Sequence, residues 1–375
     1  IGAVSVQPGT STKDVVLAGT GDPNDVLDSY YGAGILRSAD GGTTWSLVTQ
    51  SSDGFSGGIT NYSFAGDAFS GFAWSTTNTS LVVAAVTDSY DGFINNINNN
   101  GTDNVTEAGP YYSTDAGQTW HLSTIEDGPN QVIQSSQTTV PSVFPGVPVS
   151  SVVWNPMRQM FYAAIQYHGY YQSPDGVTWT RMANQPGTAL TAGNCPFDTQ
   201  SNSCTIFRGV LAVQPVTGDM FALTVGPNLL DTTNNVDQGL WQDVCNAGSS
   251  GCANPTVQFG TKISDAALDD SDGSGTIPQG TYNLTLAAVP NGTDTLLFAG
   301  TNDIFRCSLT AGCVWRNTTN AATCASAQVA PAQHAMAFLA PPAGQTLPLL
   351  YFGNAGALWR STDGVNQTGV ACAAS

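Results

Sequence analysis

One short polar run keeps returning along this chain. "RSADGGTTW" (residues 37–45) comes back as "YSTDAGQTW" (residues 112–120) and as "QSPDGVTW" (residues 172–179). Near the end it appears again as "RSTDGVNQT" (residues 360–368), without its tryptophan. Each copy follows a glycine and two apolar residues, for example Ile35-Leu36 and Leu358-Trp359. Self-similarity of this kind constrains the fold more than any single residue does, because every copy must occupy the same place in a repeated supersecondary unit.

Two more strands can be read upstream of the copies. One is a continuous apolar run: "VVLAGTG" from Val15, "LVVAAVTD" from Leu81, "MFYAAIQ" from Met160, "MFALTVG" from Met220, "LLFAGTN" from Leu296 and "LLYFGN" from Leu349. The other tends to end in apolar-x-Pro, at Pro8, Pro156, Pro215 and Pro290, with Pro341 a close variant. Each unit therefore reads as four short strands, the second buried on both faces. Repeated four-stranded antiparallel units predict an all-β β-propeller. Six blades are visible, at approximately residues 1–50, 64–125, 149–183, 206–260, 281–316 and 333–372, in one domain spanning residues 1–375.

Composition agrees. Only 10% of residues are charged, and Glu107, Glu126, Lys13 and Lys262 are the only glutamates and lysines, which leans away from surface helices. A net charge of −18 repels phosphate backbones and anionic membranes, so nucleic acid is excluded as a partner class. No apolar run is long enough to span a bilayer. The eight cysteines fall as three close pairs, Cys195 with Cys204, Cys245 with Cys252 and Cys307 with Cys313, leaving Cys324 and Cys372. With only three scattered histidines (His121, His168, His334), this reads as local disulfides in an oxidising compartment rather than a zinc site. The chain has no initiator methionine or signal peptide, which reads as a mature form or a fragment.

The Ser-x-Asp-x-Gly-x-Thr-Trp run resembles the Asp box, or BNR repeat, of sialidases, sortilin-type receptors, xyloglucan-cleaving glycoside hydrolases and a photosystem assembly factor. The box residues are Ser38, Asp40 and Trp45; Ser113, Asp115 and Trp120; Ser173, Asp175 and Trp179; and Ser361 and Asp363. Their chemistry suits a turn: serine and aspartate bond inside it, glycine takes positive φ, and tryptophan packs between blades. In the fourth and fifth units, cysteine pairs stand at the corresponding turn, so a disulfide is expected to replace the polar staple. Propellers of this group more often have seven blades than six. The resemblance thus implies one further blade in the complete protein, supplied by more sequence or by another chain.

In an up-and-down meander the box turns share one face with the first-to-second strand turns. The second-to-third turns and blade-to-blade connections lie on the other face, and all the long segments belong to it, which makes that face the expected functional one. Carboxylates there include Asp22, Asp28, Asp88 and Asp303, candidates for a glycosidase pair, and Tyr30, Tyr31, Tyr90, Tyr167 and Tyr170 could stack on sugars. "DDSDGSG", with Asp269, Asp270 and Asp272, makes calcium a candidate cation, although no cofactor is required. A pairing of Cys324 with Cys372 would pin the chain end on the same face. Sialidase relatives use an arginine triad, a tyrosine backed by glutamate, and an aspartic acid/base. Here Arg37, Arg306 and Arg360 repeat one position beside the box and read as structural, and Glu107 and Glu126 read as loop residues. The leading expectation is a secreted or surface-displayed binding or scaffold module for glycan or protein. A glycoside hydrolase is second, and a structural subunit of a surface assembly third.

Overall fold

The computed structural model describes residues 1–9, 14–24, 29–53, 61–89, 108–127, 132–134, 147–186, 206, 208–226, 234–248, 251–269, 275–319, 329–339 and 348–361, with backbone only for Asp88, Asn234 and Ala247. Asp28, Tyr90, Glu107, Asp270, Asp272, Asp363, Cys195, Cys204, Cys324 and Cys372 lie outside them. The chain is all-β, a β-propeller of six antiparallel blades, and the described residues contain no α-helix. It divides into two compact units, residues 1–209 and 210–375.

In the first unit, blade 1 is β1 (Ala3–Val6), β2 (Val16–Gly19), β3 (Ile35–Ser38) and β4 (Ser46–Val48), hydrogen-bonded in that order. Blade 2 is β5 (Asp67–Trp74), β6 (Val82–Asp88), β7 (Gly109–Ser113) and β8 (His121–Leu122). The chain then forms β9 (Thr124–Glu126) and β10 (Val132–Gln134) before blade 3: β11 (Val149–Asn155), β12 (Met160–Ile165), β13 (Gly169–Ser173) and β14 (Thr178–Arg181). Here the structure corrects the sequence reading of Glu126 as a loop residue. It ends β9, which pairs parallel to β14 and extends the third blade outward to six strands.

Blade 4 is β15 (Arg208–Val213), β16 (Met220–Gly226), β17 (Asn234–Asp243) and, after the small hairpin β18 (Ala247–Gly248) and β19 (Gly251–Cys252), β20 (Thr261–Ile263). A short 3-10 turn (Ala266–Leu268) and β21 (Thr276–Pro278), which pairs with β17, lead to blade 5: β22 (Thr285–Asn291), β23 (Asp294–Gly300), β24 (Ile304–Ser308) and β25 (Arg316–Asn317). Blade 6 shows β26 (Gln333–Leu339), β27 (Leu349–Asn354) and β28 (Leu358–Ser361).

The apolar second strands do what their composition implies. β16 is buried along its whole length, and β12 nearly so. Alternate side chains of one blade interleave with the next. Leu17 and Ile35 of blade 1 pack with Tyr111, Trp120 and Leu122 of blade 2, and Val83 and Ala85 of blade 2 with Phe161, Tyr171 and Trp179 of blade 3. Burying one such large side chain contributes roughly 1.5–3 kcal/mol.

The repeated run is the turn between third and fourth strands. In blade 2 the Asp115 carboxylate accepts from Ser113 Oγ (2.8 Å), Gln118 N (3.0 Å), Thr119 N (2.9 Å) and Thr119 Oγ1 (2.7 Å). Ser113 Oγ in turn accepts from Gly117 N at 2.8 Å, and Trp120 Nε1 donates to Gly117 O at 3.1 Å. Blade 1 repeats the set with Ser38, Asp40, Thr44 and Trp45, and blade 3 a shortened one with Ser173, Asp175 and Trp179. Bonds from Thr44 and Ser38 hold the Asp40 carboxyl down at about 2. Arg37 donates from Nε to Ala116 O at 2.8 Å, tying the first blade to the box of the second. All these groups are consumed within the turn, so the box is scaffold.

In blade 5 the register sets Cys307 at the box-serine position, and it is joined to Cys313 with Cα atoms 4.8 Å apart. Cys245 and Cys252 are joined across the corresponding turn of blade 4, at 4.7 Å. Every described cysteine is thus disulfide-bonded. Asp294, in the neighbouring turn of blade 5, supplies the missing carboxylate and accepts from Ser308 Oγ (2.6 Å) and Thr310 N (3.0 Å).

Candidate functional site at the loop-rich end of blades 1 and 2

Second-to-third turns are tied repeatedly to the start of the following blade. Gly32 N donates to Asp67 O (2.7 Å) and Gly66 N to Gly32 O (3.1 Å). Likewise Tyr167 N donates to Ile206 O (3.0 Å), and Gln333 N to Thr301 O (2.8 Å). This lacing fixes the loop-rich end of each unit, opposite the boxes.

The best-defined cluster sits where the blade 1 loop meets blade 2. Tyr30 and Tyr31 are 73% and 41% exposed, unusual for large aromatics on a rigid scaffold. Their backbone is nevertheless pinned. Asp22 N donates to Tyr30 O (2.8 Å), Ala33 N and Gly34 N both donate to Thr20 Oγ1 (2.8 and 2.9 Å), and that hydroxyl donates to Gly34 O (2.6 Å). Asp22 Oδ1 also accepts from Asn24 N at 3.1 Å. The lacing needs bare backbone: a Cβ on Gly32 would stand 2.6 Å from the Thr20 carbonyl carbon and Oγ1.

Beside this loop, Asp67 begins the first, innermost strand of blade 2 and Asp88 ends its second, and the register sets the two directly opposite. Like charges facing across a sheet repel, an arrangement strands otherwise avoid. Asp67 is buried. Nothing in the run "FAGDAFSG" marks it, because one carboxylate at a strand start has no local signature; only the pairing exposes it.

The candidates named from sequence separate here. Backbone bonds and register set Asp22 with Tyr30, the neighbouring Gly32 with Asp67, and Asp67 opposite Asp88. Asp303 lies in the second unit and is buried, its oxygens accepting from Asn317 Nδ2 (2.8 Å) and Thr319 Oγ1 (2.8 Å), so it holds the end of blade 5. Tyr170 is a correction to the stacking set: it is fully buried on β13, its backbone gripped by Gln185, and its ring is closed to a ligand. Tyr167 is half-buried in a turn with φ of 60°. Asp269 is buried, and among the described residues no group of three or more His, Cys, Asp or Glu side chains is placed to hold a metal ion.

A second acidic group lies in blade 4. Burial, followed by repulsion from Asp265, pushes the Asp237 carboxyl up to about 7, while Gly239 N donates to its Oδ1 at 2.8 Å. Burial also raises Asp265, which accepts from Leu240 N (2.6 Å) and faces Lys262 at 3.9 Å.

No protein-family model and no curated protein matches the sequence. Among solved structures, the chain is similar to an ancestral GH74 enzyme, at 16% identity and a TM-score of 0.56, over 98% of this chain and 40% of that one. It is also similar to PorZ, a bacterial surface component of the type-IX secretion system of Porphyromonas gingivalis, at 11% identity, TM-score 0.43, over 93% and 45%. A Hadza microbial sialidase matches at 15% identity, TM-score 0.38, over 91% and 61%. The chain thus spans less than half the length of the GH74 enzyme. The fold and its repeated turns fit the Asp-box, or BNR-repeat, β-propellers. The chain itself is a six-bladed β-propeller with two disulfide-closed turns, and its repeated Ser-x-Asp turns are structural.

Proposed function

We propose that the protein is an extracellular or surface-displayed recognition module that binds a glycan or a protein segment through the loop-rich end of blades 1 and 2. The observation that carries this reading is the exposed Tyr30–Tyr31 pair on a pinned loop. Aromatic faces are the usual platform for sugar rings and hot-spot side chains, and a loop already fixed loses little entropy on binding. Asp22 and the neighbouring backbone supply polar partners beside the rings. The two disulfides suit an oxidising compartment.

The test is a binding assay on a polysaccharide and glycoprotein panel with Tyr30→Ala, Tyr31→Ala and the double variant. Both rings are exposed, so folding should be unaffected. Loss of roughly 10-fold or more in affinity in the double variant supports the reading. Unchanged affinity for every ligand found would reject it.

The backbone register that sets Asp67 opposite Asp88 favours a second reading, a glycoside hydrolase that uses these two aspartates of blade 2. Reducing-sugar release abolished by both Asp67→Asn and Asp88→Asn would establish it and displace the first reading. Binding without turnover would discard it.

A further inference from the structure

Eight Asn-x-Ser/Thr triplets, the acceptor signal for an N-linked glycan, occur along the chain. A chain this rich in asparagine, serine and threonine holds such triplets by chance, so the triplet alone decides nothing. What sorts them is whether the amide nitrogen has room for a sugar once the chain is folded. Five of the triplets lie within the described residues.

Two of the five are closed, and both flank blade 5 at its loop-rich end. Asn283 is fully buried, and its Nδ2 donates to Gln279 Oε1 at 3.0 Å and to Asn302 Oδ1 at 2.7 Å. Both amide hydrogens are thus in use, and glycosylation must replace one of them with a sugar. Asn317 Nδ2 donates to Asp303 Oδ2 at 2.8 Å, a bond that holds the end of the blade. Asn61 adjoins residues outside the described set and belongs to neither group.

Asn78 is the opposite case. It stands in the turn between β5 and β6, at the box end of blade 2, and it is exposed together with Thr77, Thr79 and Ser80. Its Oδ1 accepts from Ser80 N at 3.3 Å, and its Nδ2 donates to no described residue. The turn that carries it is fixed. Ser75 Oγ accepts from Asn78 N (3.1 Å), Gln7 Nε2 of blade 1 donates to Thr79 O (2.6 Å), and Trp154 Nε1 of blade 3 donates to Thr76 Oγ1 (3.0 Å). Asn291 repeats the placement in the second unit. It faces Asp294 across the turn between β22 and β23, again a first-to-second strand turn, and Gly292 and Thr293 are exposed. A Cβ on Gly292 would meet nothing within 4 Å, and Asn291 Nδ2 donates to no described residue.

We infer that Asn78 and Asn291 carry N-linked glycans. In the transfer, the amide nitrogen forms a bond to the anomeric carbon of a lipid-phosphate-linked oligosaccharide. The bond from that carbon to the phosphate oxygen breaks, the lipid phosphate leaves with the electron pair, and the amide proton passes to a base of the transferase. Nothing is oxidised or reduced. Such transfer belongs to the exported, oxidising setting proposed above, on which this reading rests. In each unit the sugar stands at the box end, over turns that serve only as scaffold, and leaves the loop-rich end clear.

The experiment is peptide mapping by mass spectrometry of the full chain purified from its source, with glycopeptides and cysteine pairing read in one digest. The expected result is glycan at Asn78 and Asn291 in most molecules, none at Asn283 or Asn317, and Cys245–Cys252 and Cys307–Cys313 intact. Ser80→Ala removes the triplet hydroxyl and leaves Asn78 and the backbone of the turn in place, so it should abolish glycan at Asn78 alone. Bare Asn78 or Asn291 in a chain with both disulfides formed would overturn the inference and leave the exported setting standing. Bare asparagines with reduced cysteines would overturn both. Glycan at Asn78 that survives Ser80→Ala, or glycan at Asn283 in the folded protein, would also overturn the inference.

Discussion

Replacing Asp115 by alanine isolates what one box contributes. The carboxylate accepts four bonds, from Ser113 Oγ, Gln118 N, Thr119 N and Thr119 Oγ1. A hydrogen bond to a charged group contributes roughly 1.5–3 kcal/mol when its donor has no alternative. Gln118 and Thr119 are exposed, so water replaces much of what they lose. Ser113 is buried and cannot be compensated in that way. The net cost is therefore about 2–3 kcal/mol, local to the turn. Because the chain has two compact units, a single unfolding midpoint is the wrong readout, and hydrogen exchange at Gly117, Gln118 and Thr119 is the right one. About 2–3 kcal/mol corresponds to exchange roughly 30- to 150-fold faster at these amides. Asp115→Asn keeps the Oδ1 acceptor and loses the charge, and should sit near 1 kcal/mol. Exchange accelerated less than about threefold in Asp115→Ala would refute the view that the box staples its blade.

The pH dependence of the boxes follows from the same bonds. Burial raises the Asp115 carboxyl, and the bonds from Thr119, Ser113 and Gln118 outweigh it, leaving it below the ordinary range; Asp40 is lowered to about 2. A lowered folded value stabilises above the unfolded one, near 4, and that contribution is lost as pH falls toward 2. Exchange in the box turns of blades 1 and 2 should therefore accelerate, relative to the intrinsic rate, between about pH 4 and 2, and a flat profile would contradict this. Asp237 has the opposite sign. With its folded value raised to about 7, the native state loses stability as pH rises from about 4 to 7. Asp237→Asn, which keeps an acceptor for Gly239 N, should be neutral at pH 4. At pH 8 it should stabilise blade 4 by about 1–2 kcal/mol, allowing for solvent screening at this half-buried position, read as slower hydrogen exchange at Gly239 and Leu240. Reductant should raise exchange in the Cys245–Cys252 and Cys307–Cys313 turns while the boxes of blades 1 to 3 stay protected; uniform loosening of all turns would argue against local staples.

The legible part of the sequence was the part fixed by local chemistry. Ser38, Asp40 and Trp45 close a turn by themselves, and the wholly apolar second strands announce sheets buried on both faces. Cys307 and Cys313 were legible as a replacement because they fall on the same template. What was missed depends on pairing across distance. Glu126 reads as a loop because β9 is three residues long and finds its partner on the next blade. Asp67 becomes notable only when register puts Asp88 opposite it. Tyr170 and Tyr30 look alike in sequence, yet one is fully buried on β13 and the other stands in solvent, a difference set by what packs over each.

The central claim is a division of labour: the boxes hold the blades, and the opposite end of blades 1 and 2 does the recognition. The direct measurement takes Asp115→Asn and the double variant Tyr30→Ala/Tyr31→Ala through one set of assays, with box exchange and panel affinity per folded molecule read on the same samples. The predicted result is a clean exchange of effects, with faster box exchange and wild-type affinity for Asp115→Asn, and wild-type exchange with lost affinity for the tyrosine pair. Affinity lost on changing Asp115 while the fold persists, and retained without Tyr30 and Tyr31, would contradict it.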